Sequence, residues 1–290
     1  MPELPEVDII RQGLAPFVVG ARIERVILNR PDLRNVFPPS FATRLEGAEV
    51  INISRRAKYL LFTLSNNETL LSHLGMSGNF RFGRPDRQTI NIKHGFEKHD
   101  HVILELSGTH SPTPFLIYSD PRRFGFMDLS TDPQNCKYLK KLGPEPFGNE
   151  FNAVALAKNL AGRRGAIKAA LLDQGVVAGL GNIYVCEALY RAGIDPRVRA
   201  MDLVTGSRER ILQLEALVGH IKDVLGEAIA SGGSTLKDYK KVDGSTGYFQ
   251  HGFKVYGREG ETCLAKGCSG TIKRISQSAR SSFYCPVCQS

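Results

Sequence analysis

No run of eighteen apolar residues occurs anywhere in the 290-residue chain, which excludes a membrane-spanning helix. The opening Met1-Pro2-Glu3-Leu4-Pro5-Glu6-Val7-Asp8 has neither a basic start nor an apolar stretch behind it. No secretory signal is therefore expected, and the chain reads as cytosolic. No internal repeat is evident. Cysteine is scarce until the end: Cys136 and Cys186 stand alone, and four more crowd the last 28 residues. In a reducing compartment such close pairs read as metal ligands and not as disulfides, and the two lone cysteines read as small buried apolar residues. Acidic residues are in the minority, 29 against 38 Lys and Arg, for a net charge of +9 and a pI near 9.3. That balance favours an anionic partner. Nucleic acid stands ahead of a membrane, because no basic amphipathic anchor stands out, although charge alone also suits a merely basic soluble protein. The distribution adds weight: residues 237–290 hold nine Lys or Arg against four Asp or Glu.

An apolar content of 42% supports two or three modest domains. Val7, Ile10, Leu14 and Phe17 recur at helical spacing, and Gly20 ends that helix. Short alternating or apolar runs follow at 22–28, 49–53, 59–64, 69–74, 101–106, 115–118 and 124–129. Turn signals such as Asn66-Asn67 separate them. The pattern predicts an α+β protein that starts with one helix and an antiparallel β-sandwich over residues 1–142. Residues 143–148, rich in Gly and Pro, read as a linker. Helical periodicity then dominates at 151–160, 166–172, 183–191 and 208–230, so 149–247 reads as a helical domain with a loop rich in Gly, Ser, Lys and Asp at 231–247. Residues 248–290 form a small cysteine module.

Three features can carry chemistry. Cys263, Cys268, Cys285 and Cys288 follow the spacing x4, x16, x2. Four thiolates so spaced surround one tetrahedral Zn²⁺ with no open position, so the zinc is structural. Strands at 271–275 and 282–284 would close a hairpin whose turn, 277–281, presents Arg280 beside Lys273 and Arg274. The spacing does not decide whether this hairpin touches DNA or caps a domain. Second, Asn182 follows Gly179, Leu180 and Gly181, placed to cap the helix behind it. Free N–H groups there suit a phosphate, and an ordinary capped core helix has the same signature. Third, removal of Met1 would leave Pro2 with a secondary α-amine. Such an amine titrates about 2 to 3 units below a lysine side chain, so it is nucleophilic near pH 7. Its iminium adduct with a sugar carbon has no N–H proton to lose and acts as an electron sink, with Glu3 as acid/base partner. The same Pro and Glu residues equally suit a plain helix start.

Several blocks, in order along the chain, resemble bacterial formamidopyrimidine-DNA glycosylases, the Fpg or MutM family. They are Met1-Pro2-Glu3-Leu4-Pro5-Glu6-Val7, Arg55-Arg56-Ala57-Lys58-Tyr59-Leu60, His73-Leu74-Gly75-Met76-Ser77-Gly78, Lys98-His99-Asp100-His101, Asp120-Pro121-Arg122-Arg123-Phe124-Gly125, Gly181-Asn182-Ile183-Tyr184 and Val255-Tyr256-Gly257-Arg258. The resemblance implies a β-sandwich, a helix–two-turns–helix domain and a zinc finger clamping double-stranded DNA that contains oxidised bases or abasic sites. The protein would be a bacterial cytoplasmic monomer. It implies attack by Pro2 on C1′, with Glu3 as general acid/base, Lys58 as proton donor for β-elimination and Arg280 for δ-elimination. Met76, Arg122 and Phe124 match residues that fill the space left when a nucleotide turns out of the stack. His99, Arg123, Arg164 and Asn182 match DNA contacts, with His73 and Lys168 as further phosphate contacts. The loop 231–247 matches a cover for the extruded base. The sequence departs from the family pattern in the four residues between Cys263 and Cys268, where two are usual, in arginine at 164 where lysine is usual, and in long loops at 84–97 and 108–114.

The leading expectation is a bifunctional base-excision enzyme that releases 8-oxoguanine or a formamidopyrimidine and nicks the strand by β,δ-elimination. An endonuclease VIII-like enzyme for oxidised pyrimidines is the neighbouring possibility. A non-catalytic zinc-ribbon DNA-binding protein would explain the charge and the cysteines but not Pro2-Glu3 with Lys58.

Overall fold

The computed structural model describes residues 1–83, 97–111, 113–205, 208–235 and 241–289. The chain divides into two compact units, Met1–Lys140 with Gly232–Tyr248, and Lys141–Ser231 with Phe249–Ser290. Gly232–Tyr248, which takes in most of the loop 231–247, falls in the first unit, and the cysteine module falls in the same unit as the helices.

The first unit begins with helix α1 (Leu4–Val18), whose buried Leu4, Val7, Ile10, Leu14 and Val18 recur at the expected spacing. Glu3 is its N-cap and forms a capping box with Glu6, whose Oε2 accepts the Glu3 N–H at 2.9 Å. Strand β1 (Arg22–Leu28) and a one-turn helix α2 (Phe41–Leu45) follow, then β2 (Val50–Arg56), β3 (Tyr59–Leu64), β4 (Thr69–His73), β5 (Asn79–Gly83), β6 (Asp100–Ser107), β7 (Phe115–Ser119) and β8 (Phe126–Ser130). They build two four-stranded antiparallel sheets, ordered β1-β6-β7-β5 and β2-β3-β4-β8. Leu60, Phe62 and Leu64 of one sheet and Val102, Leu104 and Leu106 of the other share a single core with the apolar stripe of α1. The period of 2 in both strands turns those side chains to one face. Each such buried aliphatic contributes about 2 kcal/mol.

Periodicity does not reveal α2, which is little more than one helical turn, or β5, whose sequence Asn-Phe-Arg-Phe-Gly offers only two apolar residues. Cys136 also departs from expectation: it is partly exposed, whereas Cys186 is buried.

The second unit holds α3 (Ala153–Leu160), α4 (Ile167–Leu172), α5 (Asn182–Arg191) and α6 (Arg208–Ala230), and the hairpin of β9 (Lys273–Gln277) and β10 (Arg280–Tyr284). Almost all of α5 is buried, and it packs on α4, α6 and β10. A small separate core of Cys186, Val255, Ile272 and Phe283 supports the hairpin. Among the described residues no helix is long and apolar enough to cross a membrane.

In the first unit, the turn after β4 and the loop before β8 lie backbone against backbone. A Cβ on Gly75 (φ +62°) would fall 2.3 Å from Gly125 N and from the Phe124 carbonyl carbon, and one on Gly125 would fall 1.9 Å from the Tyr118 hydroxyl. Neither neighbour can yield, since the first is main chain and Tyr118 is fully buried. Gly75→Ala should therefore lower stability by roughly 2–3 kcal/mol. A denaturant midpoint unchanged from wild type would contradict this close approach.

Candidate DNA-processing site

Pro2 is buried immediately before α1, and Glu3 is 3% exposed. The helix is tied by charge to the turn that carries Lys58. Asp8 of α1 sits 3.5 Å from Arg55 of β2, and Arg55 Nη1 donates to the Ala57 carbonyl at 3.0 Å. Burial works to raise the Asp8 carboxyl. Hydrogen bonds from Arg11 and Gln12 and the charges of Arg11 and Arg55 outweigh it and hold the carboxyl below its ordinary range. Arg56 pairs with Tyr59, so Ala57 and Lys58 form a two-residue hairpin turn. Ala57 occupies the left-handed region (φ 52°), strained for a residue with a Cβ, and Lys58 is 6% exposed.

His73 pairs with Tyr59 across β3 and β4, its ring packed between Tyr59 and Phe126. Burial, with the charges of Lys58 and Arg34 adding to it, pushes its pKa down to about 4. The ring is neutral at pH 7, and its Nδ1 accepts the Gly75 N–H at 3.1 Å. For the phosphate contact expected of His73, the neutral ring offers its Nε2–H. Arg34, not singled out from sequence, is exposed and donates its backbone N–H to the Gly125 carbonyl. A lone arginine in an irregular segment carries no sequence signal.

Met76 lies in the turn after β4, partly exposed, while Arg122, Arg123 and Phe124 project from the loop before β8. The Arg122 guanidinium stacks 5.1 Å above the Phe124 ring, and Arg123 has φ 55°. Phe124 is 45% exposed, an unusual place for a phenylalanine with nothing to bind. His99, partly exposed, precedes β6. The loop 231–247 is anchored on α1: the Ser234 N–H donates to Glu6 Oε1 at 2.9 Å, and the Gly247 N–H donates to Thr235 Oγ1 at 2.8 Å. Its residues 236–240, and residues 84–96 and 112 of the two long loops, lie outside the described residues.

In the second unit Arg164 is exposed, and the carbonyls on either side of it accept from Met201 and Ala200. Two expectations change here. Asn182 is the first residue of α5 and not its cap; Gly181 takes the cap position, and Asn182 Nδ2 donates to the Ser281 carbonyl at 3.0 Å. Lys168, expected to meet a phosphate, has no exposed surface. Its ammonium donates to the same carbonyl at 2.9 Å and to Ser282 Oγ at 2.7 Å. A buried ammonium needs acceptors, and these two lie on the strand that begins with Arg280. Arg280 itself is exposed, beside the turn Ser278-Ala279, both with positive φ as the type I′ form of a two-residue hairpin turn requires. Periodicity also missed two organisers, Glu187, which is buried, and Gln174, which is partly so. Glu187 on α5 accepts the backbone N–H groups of Lys254, Val255 and Tyr256, and Gln174 closes the α4–α5 turn through Gly179 N–H and the Leu180 carbonyl.

The Sγ atoms of Cys263, Cys268, Cys285 and Cys288 all lie within 4.8 Å of one another. The pairs Cys263–Cys288 and Cys268–Cys285 are each 3.7 Å apart. Four sulfurs at ~2.3 Å from a tetrahedral zinc stand about 3.8 Å apart, so the set fits one Zn²⁺. The Tyr190 hydroxyl lies 3.2 Å from Cys263 Sγ, and backbone N–H groups of Ala265, Gly270 and Cys288 point at the other sulfurs or at Cys263 itself. With all four positions taken by cysteine, the metal supplies a cross-link and no open coordination site.

Three family models match successive parts of the chain: the formamidopyrimidine-DNA glycosylase N-terminal domain over residues 1–127, its H2TH domain over 142–240, and the zinc finger found in FPG and IleRS over 260–290. The chain belongs to the formamidopyrimidine-DNA glycosylase family. Formamidopyrimidine-DNA glycosylases of Ruegeria pomeroyi and of a Chelativorans species are 52% and 50% identical to it over the whole of both chains. The MutM (Fpg) protein of Thermus thermophilus superimposes with a TM-score of 0.83 at 35% identity, covering 99% of this chain and 98% of that one. A Lactococcus lactis FPG variant in complex with Fapy-dG-containing DNA gives 0.84 at 34% identity, with both chains fully covered. Another Lactococcus lactis Fpg structure holds abasic-site DNA. The chain is thus a base-excision-repair DNA glycosylase with an FPG-type zinc finger, from a family with glycosylase and AP-lyase activity.

Two outcomes follow. His73 binds its proton less readily folded than unfolded, so its contribution to stability is complete above the ordinary pKa of 6.5 and is lost as pH falls toward about 4. Melting temperatures between pH 7 and 4 should fall more steeply for wild type than for His73→Gln; parallel curves would show the ring to be normal. Removing zinc with a chelator should abolish amide protection across β9 and β10 and spare the β-sandwich, since the core behind the hairpin is too small to hold it alone. Persistent protection of Phe283 in the zinc-free protein would refute this.

Proposed function

We propose that this protein excises oxidised purines, 8-oxoguanine and formamidopyrimidines, from double-stranded DNA and then nicks the strand by β,δ-elimination through an iminium adduct on Pro2. The observation that carries the proposal is the buried start of α1, where Pro2 and Glu3 are linked through Asp8, Arg55 and Ala57 to the turn bearing Lys58. A nucleophile held this way keeps its orientation, which is most of what an enzyme contributes to an addition step.

After removal of Met1, the Pro2 nitrogen attacks C1′ of the damaged nucleotide. The glycosidic bond breaks and the base leaves with a proton. Glu3 exchanges protons with the sugar, the ring opens, and the C1′–N iminium forms. Its fixed positive charge draws electrons from C2′, so loss of a C2′ proton expels the 3′ phosphate, with Lys58 supplying the proton that step needs. A second elimination expels the 5′ phosphate, the role assigned to Arg280, whose guanidinium binds phosphate oxygens in two-pronged fashion. Met76, Arg122 and Phe124 fill the space left by the extruded nucleotide, Phe124 as a wedge and Arg122 as hydrogen-bond partner of the widowed base. His99, Arg123, Arg164 and Asn182 hold the DNA backbone. His73 joins them as a neutral donor, and Lys168 is not included because its buried ammonium is already bonded. The reading includes a monomer working in the bacterial cytoplasm, on the nucleoid.

Borohydride trapping on an 8-oxoguanine:cytosine duplex tests the mechanism. Wild type should form a covalent protein–DNA adduct, and Pro2→Gly should reduce it at least about tenfold, because a primary amine lacks the permanent iminium charge. An adduct unaffected by Pro2→Gly would remove the amine from the mechanism. Faster excision of thymine glycol than of 8-oxoguanine would replace the purine reading with the oxidised-pyrimidine one.

A further inference from the structure

Asp120 is a carboxylate with no exposed surface, at the junction of three segments that carry residues assigned to DNA. Its Oδ1 accepts from Ser77 Oγ at 2.6 Å. Its Oδ2 accepts from the Gly125 N–H at 2.8 Å and from the Tyr118 hydroxyl at 3.4 Å. Ser77 Oγ accepts in turn the backbone N–H of Arg122 at 3.1 Å. The main chain of Asp120 is engaged as well. Its N–H donates to the His99 carbonyl at 3.0 Å, and its carbonyl accepts from the Arg123 N–H at 3.2 Å and from His101 Nε2 at 2.9 Å. A carbonyl only accepts, so His101 carries its proton on Nε2. Burial keeps that ring below its usual pKa, and burial with the Asp120 charge beside it raises Tyr118 well above its own. Both partners therefore stay neutral donors at pH 7.

The segments joined are the turn of Met76, the loop of Arg122 and Phe124, and the residue before β6, His99. Burying a carboxylate is costly unless donors replace its water, and a fold that needed only packing here would use an apolar side chain. An aspartate accepts on both oxygens at once. An asparagine has one accepting oxygen, and its NH₂ would face either the Gly125 N–H, which cannot accept, or the Ser77 hydroxyl, whose proton would then lose its acceptor.

We propose that Asp120 is a positioning residue, which through Ser77 holds the Met76 turn and the Arg122–Phe124 loop in one register with His99, so that the gap-filling side chains enter the duplex together. This rests on the reading of Met76, Arg122 and Phe124 as gap-fillers. Because Arg122 and Phe124 are exposed and Met76 partly so, their direction depends on the loop beneath them, and the loop depends on this carboxylate.

Asp120→Asn and Ser77→Ala separate the carboxylate from the bridge it supports. Single-turnover excision from an 8-oxoguanine:cytosine duplex reads extrusion and chemistry together. Cleavage of a single-stranded abasic oligonucleotide reads elimination with no partner base to replace. A 2-aminopurine opposite the lesion brightens when the partner base is unstacked. Both variants should slow duplex excision and delay the fluorescence rise roughly tenfold or more, with single-stranded cleavage within about twofold of wild type. Equal slowing of both substrates would mean a general loss of structure and overturn the proposal. So would wild-type duplex rates in both variants while Met76→Ala and Phe124→Ala are slow, which would leave the gap-filling role standing. A fluorescence rise unchanged in Met76→Ala and Phe124→Ala would instead remove the gap-filling reading on which the proposal rests.

Discussion

Burial of one face of α1 is the constraint to which the chemistry of the first unit is referred. Val7, Ile10 and Leu14 have no solvent exposure and share the sandwich core with strands from both sheets. The helix cannot slide or turn without exposing them, at about 2 kcal/mol each. Its first turn is thereby fixed, and Pro2 and Glu3 stand at that turn. The capping box between Glu3 and Glu6 satisfies donors that would otherwise need water. The start of the helix is thus a fixed point on a rigid scaffold.

Polar ties refine what the core begins. Glu6, 2% exposed, accepts from the Glu3 backbone with one oxygen and from Ser234 with the other, so the loop behind α6 is fastened to the same helix turn. Asp8 and Arg55 fasten the Lys58 turn. The second unit works by similar means: the Ser281 carbonyl, next to Arg280, accepts from Lys168 and from Asn182, and four cysteines are arranged to clamp zinc at the far end of the same hairpin. Donors and acceptors in these ties are buried or partly buried, where each hydrogen bond is stronger and each unmade one more costly. They explain why exposed residues such as Phe124 and Arg280 can be aimed without packing of their own.

Much of this was legible in the residues. Helix α1, strands β1 and β3 and helix α6 lie where their apolar periods place them, because a half-buried helix or strand must repeat its apolar residues every 3.6 or 2 positions. The cysteine spacing named its metal, since thiolate ligands in close pairs have few other uses in a reducing compartment. The family blocks marked Pro2, Glu3 and Lys58 as a group. The signal failed for α2, little more than one helical turn, for β5, with only two apolar residues, and for Asn182 and Lys168. A lysine on a helix reads as a surface charge. Only the carbonyl and hydroxyl that another strand brings to it make burial tolerable. For the same reason Glu187 and Gln174 look like ordinary polar residues until the backbone groups they satisfy are seen.

By itself the sequence determined the kinds of element and the metal ligands, because each depends on residue type and on spacing within a few turns of chain. Only the tertiary structure decided which polar side chains stay exposed and which hold the scaffold. That distinction turns on partners dozens to hundreds of residues away, such as Ser281 for Lys168, Ser234 for Glu6 and Ser77 for Asp120. The free energy of a charged or hydrogen-bonding group is set by what surrounds it, and in a folded chain those surroundings come chiefly from residues distant in sequence.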